Sequence, residues 1–490
     1  MIIQMSISRR ISLVIFSMAL ALSSMSCFGI AQITQPPPPL PTDQQTPSPN
    51  TQPSPTLRPS STVHTPPTET PGPISTNTPA VAAPTLANTE TPALTGQVNI
   101  VEINGFMDES DYWYFYGLIR NDTNRTISDI QIDVRLMDSI GTEIYTYTTF
   151  TILNYLTPGE TTPFSDFTTE PFPKGKTMQA TVVGFNNTEA INRASLIYRG
   201  ITLWTDDKND IYLAGEVFNG NANPIEINSI AGSLTDGSGK LVTASYAYPF
   251  LGYVDPNGSS PFVMVFDSPI GLADSLTNYT LYSDALTTNL TSTSDISLPE
   301  TYNKYQDTNG DTHLVGSVTN NTSQPMSLYL VAGAYDQNGN CIDANSIFLP
   351  VPINPGGSIP YDFSMWSVLD AFPAAYDVAT QFSLKIDWLS SHEASSQSAA
   401  LTTKDDTDSF TGSVGTFNGT VVNNTGYDLT LAVVIVALYD QSSGELIATN
   451  YSYVTETMTN NSSGIYEIYL YSPTNIDPAK VKIVITALGQ

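Results

Sequence analysis

The chain has 490 residues, enough for three or four ordinary domains. Its formal net charge is −29, from 46 acidic and 17 basic residues, yet only 13% of residues are charged, so most of its polar surface must be Ser, Thr, Asn and Gln. That balance excludes a nucleic-acid partner and electrostatic docking on anionic lipid, both of which need clustered Lys and Arg, and it suits strand-rich extracellular modules.

Residues 1–31 read as a secretory signal or lipoprotein signal. Arg9 and Arg10 supply the positive end, and Ile11 to Leu22 form an apolar stretch too short for an ordinary membrane span. Three outcomes stay open: cleavage after Ala31, lipidation of Cys27 behind Ser24-Met25-Ser26, or an uncleaved anchor. Any membrane attachment is expected through this segment alone. Cys341 is the other cysteine, so the mature body has no intramolecular disulfide to rely on.

Residues 32–96 hold 17 of the 35 prolines, mixed with Thr, Ser and Gln. Proline fixes φ and removes an amide donor, so neither helix nor sheet can run through such a segment. It is expected to be a disordered, semi-stiff spacer.

The remaining chain repeats one pattern four times, at 97–192, 193–291, 292–396 and 397–490. Each copy has a strand ending G-x-[VI]-x-N: Gly117 to Asn121, Gly215 to Asn219, Gly316 to Asn320 and Gly419 to Asn423. A polar turn follows, then an alternating strand ending at Asp138, Asp236, Asp336 or Asp440, with Gly141, Gly239, Gly339 or Gly444 just beyond. Aspartate followed closely by glycine predicts a hairpin turn. Pro158-Gly159, Pro256-Asn257-Gly258 and Pro355-Gly356 mark a further turn, replaced by Asn460-Asn461-Ser462 in the last copy. Strands with aromatic residues follow, and each copy closes on one more strand. The apolar run Leu429 to Leu438 reads as a strand buried on both faces. Six or seven short strands per copy, with no amphipathic helix of useful length, predict an all-β chain of four tandem antiparallel Ig-like β-sandwich domains.

Val436-Ala437-Leu438-Tyr439-Asp440, with weaker counterparts at Ala332 to Asp336, Val134 to Asp138 and Gly232 to Asp236, resembles the FxLYD family, although Val, Gly or Ala stands at the phenylalanine position. The resemblance covers roughly 75 residues of each copy. It implies an Ig-like sandwich on an exported prokaryotic protein, and no reaction.

No catalytic constellation recurs. Of three histidines, His64 lies in the linker and His313 and His392 are each confined to one copy. There is no HExxH, CxxC or phosphate-binding loop, and a glycosidase-type hydrolase is the remote enzymatic alternative. An acidic loop is expected before each anchored strand: Asp108 to Asp111, Asp206 to Asp210, Asp307 to Asp311 and Asp405 to Asp408. Asp307, Asn309 and Asp311 have the spacing of a calcium loop, but Val318 stands where such a loop needs a bidentate carboxylate; a solvated hairpin turn is the competing reading. Tyr112-Trp113-Tyr114-Phe115-Tyr116 places aromatics on both faces of one strand, which are expected to pack in the core, with stacking of an exposed face on a sugar as the alternative. Cys341 is expected as a buried, unreactive thiol at a strand start. Together these features predict a non-enzymatic cell-surface or secreted protein for interaction, adhesion or spacing, its partner a protein or glycan, with a ligand- or carbohydrate-binding module as the alternative.

Overall fold

A computed structural model describes residues 96–490 apart from 190, 206–209, 268–275, 291–295, 299–301, 366, 455–456 and 474–475. The signal, Cys27, the spacer and His64 lie outside the described residues. The described part belongs to one compact unit spanning 80–490.

The fold is all-β and antiparallel, with four successive sandwiches: the first two are each made of two sheets, and the third adds a further two-stranded pair. In the first, a leading strand (Val98–Met107), the anchor strand (Trp113–Asn121) and an aromatic strand (Thr161–Phe167) form one sheet. A return strand (Glu143–Phe150), the aspartate strand (Ile127–Met137) and a closing strand (Thr177–Asn187) form the other. The second sandwich repeats this with anchor Ile211–Phe218, aspartate strand Ile225–Asp236 and return strand Leu241–Ala247. The third uses Thr312–Asn320, Tyr329–Tyr335 and Cys341–Phe348, and adds two short helices, Val368–Ala371 and Pro373–Val378, which nothing in the sequence pattern had suggested. In the fourth, the leading strand Ala399–Thr411 pairs first with the closing strand Val481–Gly489 and then with the anchor Val414–Val422, joining both sheets into one six-stranded order.

Inside each sandwich the residues that recur have structural work. Asn121, Asn219, Asn320 and Asn423 are all fully buried. The Nδ2 of Asn320 donates to the carbonyls of Gln324 and Ile353, both at 2.7 Å, while its Oδ1 accepts from Thr322 N (2.9 Å) and Thr322 Oγ1 (2.7 Å). Its backbone also bonds the turn opposite, through Gly356 N to Asn320 O (2.8 Å) and Asn320 N to Gly357 O (3.0 Å). The other three asparagines make the same set of bonds. A buried amide with every donor and acceptor used ties the anchor strand to two turns of the sandwich at once. The opposite turn needs a left-handed residue, and Gly159, Asn257, Gly356 and Asn461 take it with φ between 61° and 81°.

The aspartates cap their hairpins as expected. Asp138, Asp236 and Asp336 each accept two backbone amides on Oδ1, and Asp440 accepts those of Ser442 and Ser443. These bonds, led by the Ser442 hydroxyl, hold the Asp440 carboxyl down at about 2. The glycine that follows has φ near +80° in every copy, where a side chain would be strained. The apolar run of the last copy forms Ala432–Asp440, buried on both faces through Leu438.

The sandwiches are joined by three junctions of one design. The return strand of each later sandwich lies across the outer face of the leading–anchor–aromatic sheet of the one before. Registers place Leu241, Cys341 and Leu446 at equivalent positions, next to the aspartate hairpin, and all three are buried. Asn104, Thr202 and Asn303 are likewise equivalent, opposite Tyr116, Ala214 and Val315 on the anchor strand. Each donates to the backbone carbonyl of its junction partner: Asn104 Nδ2 to Leu241 O (2.9 Å), Thr202 Oγ1 to Cys341 O (2.6 Å), and Asn303 Nδ2 to Leu446 O. The connection near Ala194 is also held, with Arg193 paired to Glu160 and donating to Tyr155 O at 2.7 Å.

Candidate functional site

The residues singled out in the sequence are mostly absorbed by folding. Asp307 Oδ1 accepts from Asn309 N (2.8 Å) and Asp311 N (3.0 Å), and its Oδ2 from Asn309 Nδ2 (3.2 Å), which is hairpin-turn geometry. Asp108 does the same with Ser110 N and Tyr112 N. Among the described residues no group of three or more His, Cys, Asp or Glu side chains is placed to hold a metal ion. Residues 206–209 lie outside the described residues. The fourth acidic loop is a correction: Asp405, Asp406 and Asp408 fall inside the strand Ala399–Thr411, at an irregularity where Asp405 takes φ 54°, and the turn itself comes at Gly412.

The aromatic run near Tyr112 is mostly taken up by packing, while Phe167, stacked beside Tyr114 on the outer face, stays 43% exposed. Trp113 and Phe115 are buried, Tyr116 is covered by Leu241 and Ala244 of the next sandwich, and Tyr114 stacks on Phe106 and Phe167. Cys341 is buried at the second junction, where burial pushes its thiol well up. His392 is exposed.

One cluster stands apart, at the junction of the third and fourth sandwiches. The anchor strand supplies His313 and the aromatic strand Ser358–Met365 supplies Asp362. Their register sets His313 opposite Ser364 and Asp362 opposite Val315, so the two side chains are diagonal neighbours on the outer face. His313 Nδ1 bonds Asp362 Oδ2 at 2.9 Å and Oδ1 at 3.0 Å. Tyr305, opposite His313 on the leading strand, stacks on the imidazole with centroids 4.7 Å apart and 5° between planes, and its hydroxyl donates to Tyr471 O of the fourth sandwich at 3.0 Å. Asp307 Oδ2 lies 3.9 Å from His313 Nε2.

Burial pulls the His313 pKa down, but the bond to Asp362 and the charges of Asp362, Asp307 and Asp311 outweigh it, and the net direction is upward. With a carboxylate facing each nitrogen, the ring suits a bridging imidazolium better than a general base, which needs one nitrogen directed at a nucleophile.

A cavity of about 230 Å³ adjoins this pair, lined by His313, Asp362 and Ser364 from one sandwich and Thr449, Asn450, Tyr451 and Tyr471 from the next, with Phe348 and Pro350 at its side. At the equivalent positions the other copies carry Tyr114 with Ser165, Tyr212 with Val263, and Thr416 with Glu467. At the second junction Tyr212 packs edge-on to Phe372, on which Trp204 also rests. The sequence contained no local sign of the His313–Asp362 pair, since 49 residues separate its members; aligning the copies on Gly316 and on the Pro360-Tyr361 pair is the signal that would have found it.

No family model matches the chain, and no curated protein matches it. Among solved structures it is weakly similar to the native conformation of Escherichia coli alpha-2-macroglobulin (9% identity, 79% of this chain and 28% of that one, TM-score 0.11). The elastase-activated form of the E. coli protein (8%, 79% and 53%, TM-score 0.12) and a Salmonella alpha-2-macroglobulin mutant (9%, 78% and 29%, TM-score 0.11) are similarly distant. The chain therefore spans about half or less of the length of these proteins.

Proposed function

We propose that this is an exported, non-enzymatic surface protein whose four sandwiches form a stiff, continuous array for interaction or spacing at a bacterial-type cell envelope. The carrying observation is the repeated junction bond from Asn104, Thr202 and Asn303 to the equivalent carbonyl of the following sandwich. Flexible beads would need no such device, because inter-domain motion is the default where interfaces are small and polar. The signal segment and the Pro/Thr spacer support export and display, with attachment through the signal or a lipid on Cys27, and the motif around Tyr439-Asp440 supports kinship with FxLYD domains. The recurrence of turn and brace residues without a recurring polar cluster supports a non-enzymatic role. Among the described residues no helix is long and apolar enough to cross a membrane.

Small-angle scattering of the mature protein tests the array. Its expected profile is that of four sandwiches in fixed relation, unchanged by ionic strength. A profile requiring independently moving domains would refute the stiff array. Mass spectrometry of the mature N-terminus separates cleavage after Ala31 from lipidation of Cys27.

A further inference from the structure

We infer that the third junction is a binding site for a neutral sugar ring, which goes beyond the array reading and does not depend on it. Three observations converge there. First, the outer face of the third sandwich carries a His–Asp pair where the first and second sandwiches carry Tyr114 with Ser165 and Tyr212 with Val263, although folding and junction formation proceed without such a pair in those two. Second, the space beside it is left as a cavity of about 230 Å³, below the 300–1,000 Å³ range of drug-sized pockets and suited to one ring. Third, large aromatic rings in the lining remain open to solvent: Phe348 is 48% exposed, Tyr451 42% and Tyr471 40%.

The chemistry of the lining selects the ligand class. Exposed aromatic rings accept the apolar C–H face of a sugar, as they accept other flat apolar surfaces. A carboxylate has about four acceptor positions, and the Asp362 carboxylate shares a single imidazole N–H between its oxygens, so it keeps capacity for ligand hydroxyl donors. No Lys or Arg lines the cavity. The one cationic group in the lining, the His313 imidazolium, is already faced by Asp362 and Asp307, so phosphate, sulfate and carboxylate ligands find no free counter-charge and would meet Asp362 instead. The amide of Asn450 is already used, donating to Tyr469 O at 2.7 Å and accepting from Tyr451 N at 2.8 Å. It fixes the strand that presents Tyr451 and leaves recognition to Asp362, held in place by His313, and the rings.

The test is saturation-transfer NMR of the mature protein with methyl glycosides of glucose, galactose, mannose and N-acetylglucosamine, with tetramethylammonium as a cationic control. At least one glycoside is expected to bind with a Kd of about 1 mM, and Tyr451→Ala and Asp362→Asn should each weaken it by about tenfold or more. Tyr451→Phe, which keeps the ring and the packing, should retain most of the binding. Tyr246→Ala, at the equivalent position of the second sandwich, should leave it unchanged. Absence of binding by every glycoside at about 50 mM, binding insensitive to both Asp362→Asn and Tyr451→Ala, or saturation by tetramethylammonium in their place would each overturn the proposal. None of these outcomes bears on the scattering profile, so the two readings fail separately.

Discussion

The buried asparagine and the return strand behave oppositely across the four sandwiches. Asn121, Asn219, Asn320 and Asn423 are the same residue making the same bonds everywhere. The return strand instead changes with its place in the array. Leu241, Cys341 and Leu446 are buried against a preceding sandwich, whereas the equivalent residue of the first sandwich, which no other sandwich covers among the described residues, is the exposed Glu143, facing Arg135 at 3.8 Å. Three residues later, Ala244, Ala344 and Thr449 are buried while Thr146 is exposed. At the far end Asn418 takes the place of the buried Tyr116, Ala214 and Val315. Repeats need a polar outer face where no neighbour covers them, and the two faces left uncovered among the described residues have one. Features that do not vary serve the folding of each unit, and features that vary record what lies next to it.

The largest effect that would break this contrast is expected within a sandwich. Asn320→Ala removes the partner of two buried carbonyls and two donors and should cost about 3–5 kcal/mol, measured by denaturant unfolding; a loss below about 1 kcal/mol would show that the brace is dispensable. Next comes a reciprocal pair. Leu241→Glu buries an unpaired charge at the first junction and should destabilise by about 3 kcal/mol, while Glu143→Leu should change stability by no more than about 0.5 kcal/mol. The same Glu143→Leu protein should self-associate as concentration rises, because an apolar end face then meets the sheet of a second copy; sedentary monomer behaviour in analytical ultracentrifugation would count against the capping role.

A smaller effect should appear with pH. The folded-state pKa of His313 is raised above the ordinary 6.5, so its contribution is complete below that value and is lost as pH rises through the folded pKa. Melting temperatures of the native protein should decline over that window and those of His313→Gln should decline less; parallel curves would show that the imidazolium contributes nothing to the junction. The smallest expected effect is from calcium. Asp307 already accepts three hydrogen bonds within its turn, so excess chelator should move the melt by less than about 1 °C, and a clear calcium-dependent rise would reinstate the metal reading.

The units are legible from local residue patterns: the Gly-anchored strand, the aspartate hairpin and the left-handed turn depend on backbone conformation and short-range hydrogen bonds among a few adjacent residues. The sequence also marked Cys341 as a strand-starting, buried thiol. How the units meet, which face of each sheet is covered, and that His313 and Asp362 touch follow from long-range packing. These depend on register between strands dozens of residues apart and on the presence or absence of a neighbouring sandwich. Tyr116 and Tyr451 show the reason most plainly: both are tyrosines on alternating strands, and the neighbour alone buries one and leaves the other open to solvent.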